Sequence, residues 1–153
     1  MSMNIAQLQR MLGSDEPDYA RLARLGPQLL PQLARLVTAR NEYVAANAAS
    51  LAGMIDGDRA LPVLERAARS RSVEVRTAAA GALRNMKHPR AVALLMALLD
   101  DADKGVRKFA IKASANRGNA ALAAKLRSLG ARDPSRALRV LALRAAGGGP
   151  RLA

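Results

Sequence analysis

Residues 72–102 read SVEVRTAAAGALRNMKHPRAVALLMALLDDA, and this stretch is one period of a pattern that recurs along the chain. Val75 has counterparts at Val44 and Val106, Ala79 at Ala48 and Ala110, and Leu95 at Leu33, Leu64 and Leu126, each 31 residues apart. A fixed period of this length marks stacked helix pairs, because one pair cannot bury its own apolar face and needs neighbours. Composition agrees. Half of the 153 residues are hydrophobic, but the aromatic ones are only Tyr19, Tyr43 and Phe109. A core of Ala, Leu, Val and Met suits closely approaching helices and suits a β-sandwich poorly. The chain is therefore predicted to be all-α and, at this size, one domain.

Periodicity and stop signals predict about ten helices. The first covers roughly residues 3–12 and ends at Gly13. The acidic linker Ser14, Asp15, Glu16, Pro17, Asp18 then leads to a short second helix ending near Gly26. Beyond it the pairs fall into step. Second helices are predicted to start near Pro27, Gly57, Pro89 and Asn119, and first helices near Asn41, Ser72, Asp103 and Asp133. The joints hold residues that cap helix amides or turn the chain: Asp56, Gly57 and Asp58, then His88 and Pro89, then Gly118 and Asn119, then Asp133 and Pro134. Pro31 and Pro62 keep register in first turns, where a missing amide hydrogen costs least.

Ser72-Val73-Glu74-Val75-Arg76 through Ala79, then Pro89-Arg90-Ala91-Val92 with Leu94-Leu95, closed by Asp100 and Asp101, resemble short HEAT-like repeats of the type also seen in phycobilin lyases. The resemblance is good over residues 41–130 and weaker over 28–37 and 133–145. It implies a right-handed α-solenoid of stacked antiparallel pairs, with residues 1–26 as an N-terminal cap, 27–146 as repeats and 147–153 as a flexible tail. It also implies that the Arg after the repeat Val pairs with a nearby aspartate, and that second helices line the concave side. Such repeats serve many roles, so the resemblance speaks to fold more than to function.

The formal net charge of +13 is unevenly spread. Residues 1–58 carry five basic and six acidic side chains, a net of −1, whereas residues 59–153 carry twenty and six, a net of +14. At about 100° per residue, Lys104, Arg107, Lys108 and Lys112 fall on one side of their helix, with Val106, Phe109, Ala110 and Ala113 on the other. Arg136, Arg139 and Arg144 occupy the positions of Lys104, Arg107 and Lys112 one repeat later. Side by side, the two helices would form a basic patch, with Arg76 extending the row of Arg107 and Arg139. The alternative is a framework role for the three arginines and a solvated face for the rest.

The outward positions of the second helices include Arg35, Glu65, Arg66, Met96 and Arg127 among small residues such as Ala34, Ala93, Ala97 and Ala124. This reads as a shallow groove for a peptide or helix with acidic and apolar groups, since Met packs adaptably and Arg forks onto carboxylates. The alternative is that small residues simply let helices stack. The last helix, read as 134–146, lacks a second member and carries Val140 and Leu143 on its basic side, which suggests self-association.

Catalytic chemistry is not legible. His88 stands alone in a turn, and the carboxylate clusters Asp15, Glu16, Asp18 and Asp100, Asp101, Asp103 lack the spacing of a calcium loop. There is no cysteine, no phosphate-cradling glycine loop and no Trp. No catalytic, cofactor or metal residue is expected, and the chain is read as a non-enzyme. The longest uncharged apolar run, residues 91–99, is too short to span a bilayer, and no leader pattern opens the chain, so a cytoplasmic protein is expected. The predicted function is a non-catalytic interaction module or scaffold for an acidic protein or peptide. The alternative is sequence-nonspecific nucleic-acid binding through the C-terminal patch, and a lyase-like chaperone for a chromoprotein rests on the resemblance alone.

Overall fold

The computed structural model describes residues 2–55 and 57–147. Among these, ten α-helices follow one another: α1 (Ile5–Leu12), α2 (Tyr19–Ala23), α3 (Leu30–Leu36), α4 (Glu42–Met54), α5 (Leu61–Ala68), α6 (Val73–Ala82), α7 (Pro89–Leu98), α8 (Lys104–Ser114), α9 (Ala120–Arg132) and α10 (Arg136–Ala145). The chain is an α-solenoid. First helices α4, α6, α8 and α10 each pack on the next to form one row, and second helices α3, α5, α7 and α9 form the other. Helices α1 and α2 lie against α4 and close the N-terminal end.

The repeat residues are the core. Leu33, Leu64, Leu95 and Leu126, together with Ala48, Ala79 and Ala110, are no more than 1% exposed, and Val44, Val75 and Val106 are buried beside them. These sites recur at one depth because stacking repeats with the same register places the same side of every helix against its neighbours.

Side chains cap most helix starts where the sequence predicts. Asn41, Ser72, Asp103 and Asn119 each accept from the amide three residues on, and His88 caps α7 through Nδ1, 3.1 Å from the Arg90 amide. Each such cap contributes about 1 kcal/mol. Three boundaries differ from expectation. α10 is capped by Ser135, because the Asp133 carboxylate is drawn away to an arginine and to the Ser135 amide. The predicted starts near Pro27 and Gly57 are 3₁₀ turns, Gly26–Leu29 and Gly57–Ala60, and the α-helices begin only at Leu30 and Leu61, around Pro31 and Pro62. The expected Asp56 joint and the tail from residue 148 lie outside the described residues.

Two devices set the spacing between repeats. Gly53 sits where α4 and α6 approach so closely that a Cβ would fall 2.5 Å from the Ala82 Cβ and 2.8 Å from its Cα. Arg117 follows α8 and reaches back over the preceding repeat, donating to the carbonyls of Leu83, Arg84 and Met86 and, at 2.7 Å, to Ala113 of its own helix. It thereby satisfies helix-end carbonyls that have no partner within their helix. Burial lowers the Arg117 pKa from its usual value.

Candidate protein-docking surface

Repeated ion pairs hold the C-terminal repeats together before any surface is left for a partner. Arg76 on α6 places Nε 2.9 Å and Nη2 3.3 Å from the carboxylate of Asp101, in the turn ahead of α8, while Nη1 donates to the carbonyls of Ser70 and Arg71. Arg107 on α8 repeats the geometry one step later, with Nε and Nη2 at 2.8 and 3.2 Å from Asp133 and Nη1 on the carbonyls of Asp101 and Ala102. These forked bonds form a ladder along the solenoid. At Asp133, burial opposes the charge. The Arg107 hydrogen bonds, the Ser135 amide and the charges of Arg107 and Arg139 outweigh it and hold the carboxyl below its usual value.

Arg107 therefore leaves the basic patch in which the sequence placed it. All three of its nitrogens are engaged and its side chain is 12% exposed, so it offers no free donor to an outside ligand. Arg139 is half-buried and holds the Asp133 and Pro134 carbonyls through Nη1. Lys104, Lys108 and Lys112 are exposed along α8, as are Arg136 and Arg144 on α10, and none of the five forms an ion pair among the described residues.

Phe109 also differs from expectation. It does not face the core with Val106 but is 42% exposed, with the Lys112 ammonium 5.8 Å from its ring centre. Phe109 is three residues from both Val106 and Lys112 and so lies near the boundary between the buried and exposed sides of α8, and the sequence reading assigned it to the wrong side. It forms one wall of an apolar cleft of about 550 Å³ that runs across α4, α6 and α8, with Met54, Gly53, Ala78 and Gly81 on the other sides. The sequence reading missed this cleft. Its signal was present in the register: Ser50, Gly81, Lys112 and Arg144 are equivalent positions, small in the first two repeats and long and cationic in the last two. The small pair leaves the space, and Lys112 stands beside its Phe109 wall.

The second-helix face is stitched rather than open. Arg66 donates to the Ala34 carbonyl at 2.8 Å, Glu65 pairs with Arg90, and Lys125 lies 2.6 Å from Asp100. Two of these bonds join one second helix to the next, and the third joins α9 to the turn that follows α7. Met96 is half-buried against the core. Arg35 and Arg127 remain exposed. Glu65 and Arg66 border a small cleft of about 300 Å³ that Arg35, Met96 and Arg127 do not line. A further cleft of about 760 Å³ lies at the N-terminal end, bordered by Met3, Met11, Glu16, Asp18 and Leu25.

Most of the clustered carboxylates have structural roles: Asp18 caps α2, Asp103 caps α8, Asp101 holds Arg76 and Asp100 holds Lys125, while Asp15 and Glu16 are exposed without ion pairs among the described residues. Among the described residues no group of three or more His, Cys, Asp or Glu is arranged to hold a metal ion. No described helix is long and apolar enough to cross a membrane.

Residues 65–147 match the family model for HEAT repeats. The chain belongs to the HEAT repeat family. The match covers the ladder, the exposed lysines and α10 in one unit. The fold is also similar to a chain in the structure of the complex of CpcE and CpcF of phycocyanin lyase from Nostoc sp. PCC7120. The likeness spans 92% of this chain and 96% of that one at 26% identity, with a TM-score of 0.78. No curated protein matches the sequence significantly. The similar chain belongs to a two-protein complex.

Proposed function

We propose that this HEAT repeat protein is a non-catalytic interaction module that binds an acidic protein through its first-helix face. A single observation carries the reading: the apolar cleft walled by Met54 and Phe109 meets α8 at Phe109, whose ring lies 5.8 Å from the Lys112 ammonium, and α8 also exposes Lys104 and Lys108 without ion-pair partners among the described residues. An amphipathic helix with an acidic stripe fits both parts, its apolar side in the cleft and its carboxylates against Lys104, Lys108 and Lys112. The similar chain's place in a two-protein complex supports a protein partner. Arg35 and Arg127 offer a weaker second surface, since Arg66 and Glu65 between them are engaged. A lyase-like role would rest on fold likeness alone.

Nucleic acid is the second reading, favoured by the same uncommitted cations. The cleft argues for protein, because phosphates gain nothing from an apolar floor. The deciding experiment titrates the full chain with an acidic amphipathic helical peptide and, separately, with duplex DNA at two salt concentrations. Replacing Lys104, Lys108 and Lys112 by Glu is expected to weaken peptide binding by at least about tenfold. Duplex binding whose affinity falls by about 0.9 log unit per phosphate for each decade of salt, without peptide binding, would favour the second reading.

A further inference from the structure

The ladder has an open last rung. Arg76 and Arg107 each fork Nε and Nη2 onto an aspartate from the following repeat, and each uses Nη1 to hold its own preceding turn. Arg139, the next residue in this register, keeps the second half of the pattern, with Nη1 2.8 Å from the Asp133 carbonyl and 3.4 Å from that of Pro134. Its Nε and Nη2 have no partner among the described residues. Around it, α10 carries no acidic residue, and Val140 and Leu143 are 44% and 40% exposed. The described array thus closes on a surface with the shape and donors of an internal junction but without the acid that completes one.

The opposite end of the array carries what is missing. The turn after α1 holds Asp15, Glu16 and Asp18, all exposed and none in an ion pair among the described residues. It borders the N-terminal cleft, whose apolar surface comes from Met3, Met11 and the 37% exposed Leu25, while Arg10 and Arg21 stand on its wall. A symmetric contact of α10 with another α10 would set arginine against arginine. A head-to-tail contact sets the net −1 of residues 1–58 against the net +14 of the remainder.

We propose that the occupant of the open rung is a second copy of this chain, whose acidic turn at residues 14–18 supplies the carboxylate for Arg139 while its N-terminal cleft receives Val140 and Leu143. The contact is heterologous, so it propagates from copy to copy unless an end is blocked. It does not rest on the acidic-partner reading, although Val140 shares a side of α10 with Arg136 and Arg144, and the substitutions that test it are different ones.

Sedimentation of the full chain at low salt tests this. The weight-average mass is expected to rise with concentration above the 16.2 kDa of one chain. One variant, Arg139→Gln, disables the C-terminal end. A second, Asp15→Asn with Glu16→Gln and Asp18→Asn, disables the N-terminal end while leaving a side-chain oxygen at position 18 to cap α2. Each alone is expected to associate at least about tenfold more weakly than the natural chain. Mixed together, each retains one good end, so the mixture forms dimers and nothing longer. Circular dichroism checks that both variants keep their helices, and Arg139→Lys, which retains charge but loses the fork, should fall between. A natural chain that stays at monomer mass at every concentration overturns the proposal, as does a mixture that stays monomeric or variants that associate like the natural chain.

Discussion

The two faces of this solenoid are both rich in charge, yet they have opposite uses for it. On the second-helix face, Arg66, Glu65, Arg90, Asp100 and Lys125 are engaged with one another or with a backbone carbonyl, and each bond ties one repeat to its neighbour. On the first-helix face, the arginines nearest the core are taken by the ladder, while the lysines of α8 and the outer arginines of α10 stay free of ion pairs among the described residues. Charge available to a partner is therefore what packing has left over. A count of basic side chains cannot reveal it, because Arg107 and Lys108 contribute equally to the count and differ wholly in commitment.

The comparison breaks most severely at the ladder. Arg107→Ala leaves the Asp133 carboxylate, 1% exposed, without its main partner, and is expected to destabilise the fold by about 3–5 kcal/mol in urea unfolding. The same rung has a pH signature. Asp133 has its folded pKa held below its usual value of 3.8, so its contribution is present above that pH and is lost as pH falls through the lower folded value. The acid limb of a stability profile should therefore flatten in Arg107→Ala, and an unchanged limb would remove this assignment.

Smaller effects separate spacing from charge. Gly53→Ala forces a Cβ into the Ala82 backbone between α4 and α6 and should cost about 1–3 kcal/mol, measured by thermal denaturation. Arg90→Ala opens a stitch on the second-helix face whose arginine is 57% exposed, so the expected loss is at most about 1 kcal/mol and should shrink in high salt. The lysine substitutions sharpen the contrast from the other side. Lys108→Glu with Lys112→Glu should leave stability within about 0.5 kcal/mol while weakening the acidic peptide, because these side chains form no ion pair within the described fold. A large loss of stability there would mean that the face is structural.

Much of the architecture was legible because it depends on local periodicity. Val44, Val75 and Val106 recur at one register, their helices start after Asn41, Ser72 and Asp103, and the pairs stack as the period demands. The candidate surface was legible only in part. Lys104, Lys108 and Lys112 could be placed on one helix side from angle alone, but Phe109 was assigned to the wrong side, since it lies near the boundary between buried and exposed positions. The apolar cleft escaped notice because it arises from side chains that are absent, at Gly53 and Gly81, rather than from those present. Arg117 escaped because its partners are carbonyls 31 to 34 residues away, which carry no sequence signature.

By itself, then, the sequence determined the helices, their order and their repeat, since those follow from which residues fall on one side of a 3.6-residue turn and which end it. Only the tertiary structure decided which charges are spent and which are offered. That division depends on distances between residues such as Arg76 and Asp101 or Arg107 and Asp133, brought within 2.9 and 2.8 Å by the packing of neighbouring repeats. At Arg139 the same rule finds no next repeat among the described residues, and a structural position becomes an open one.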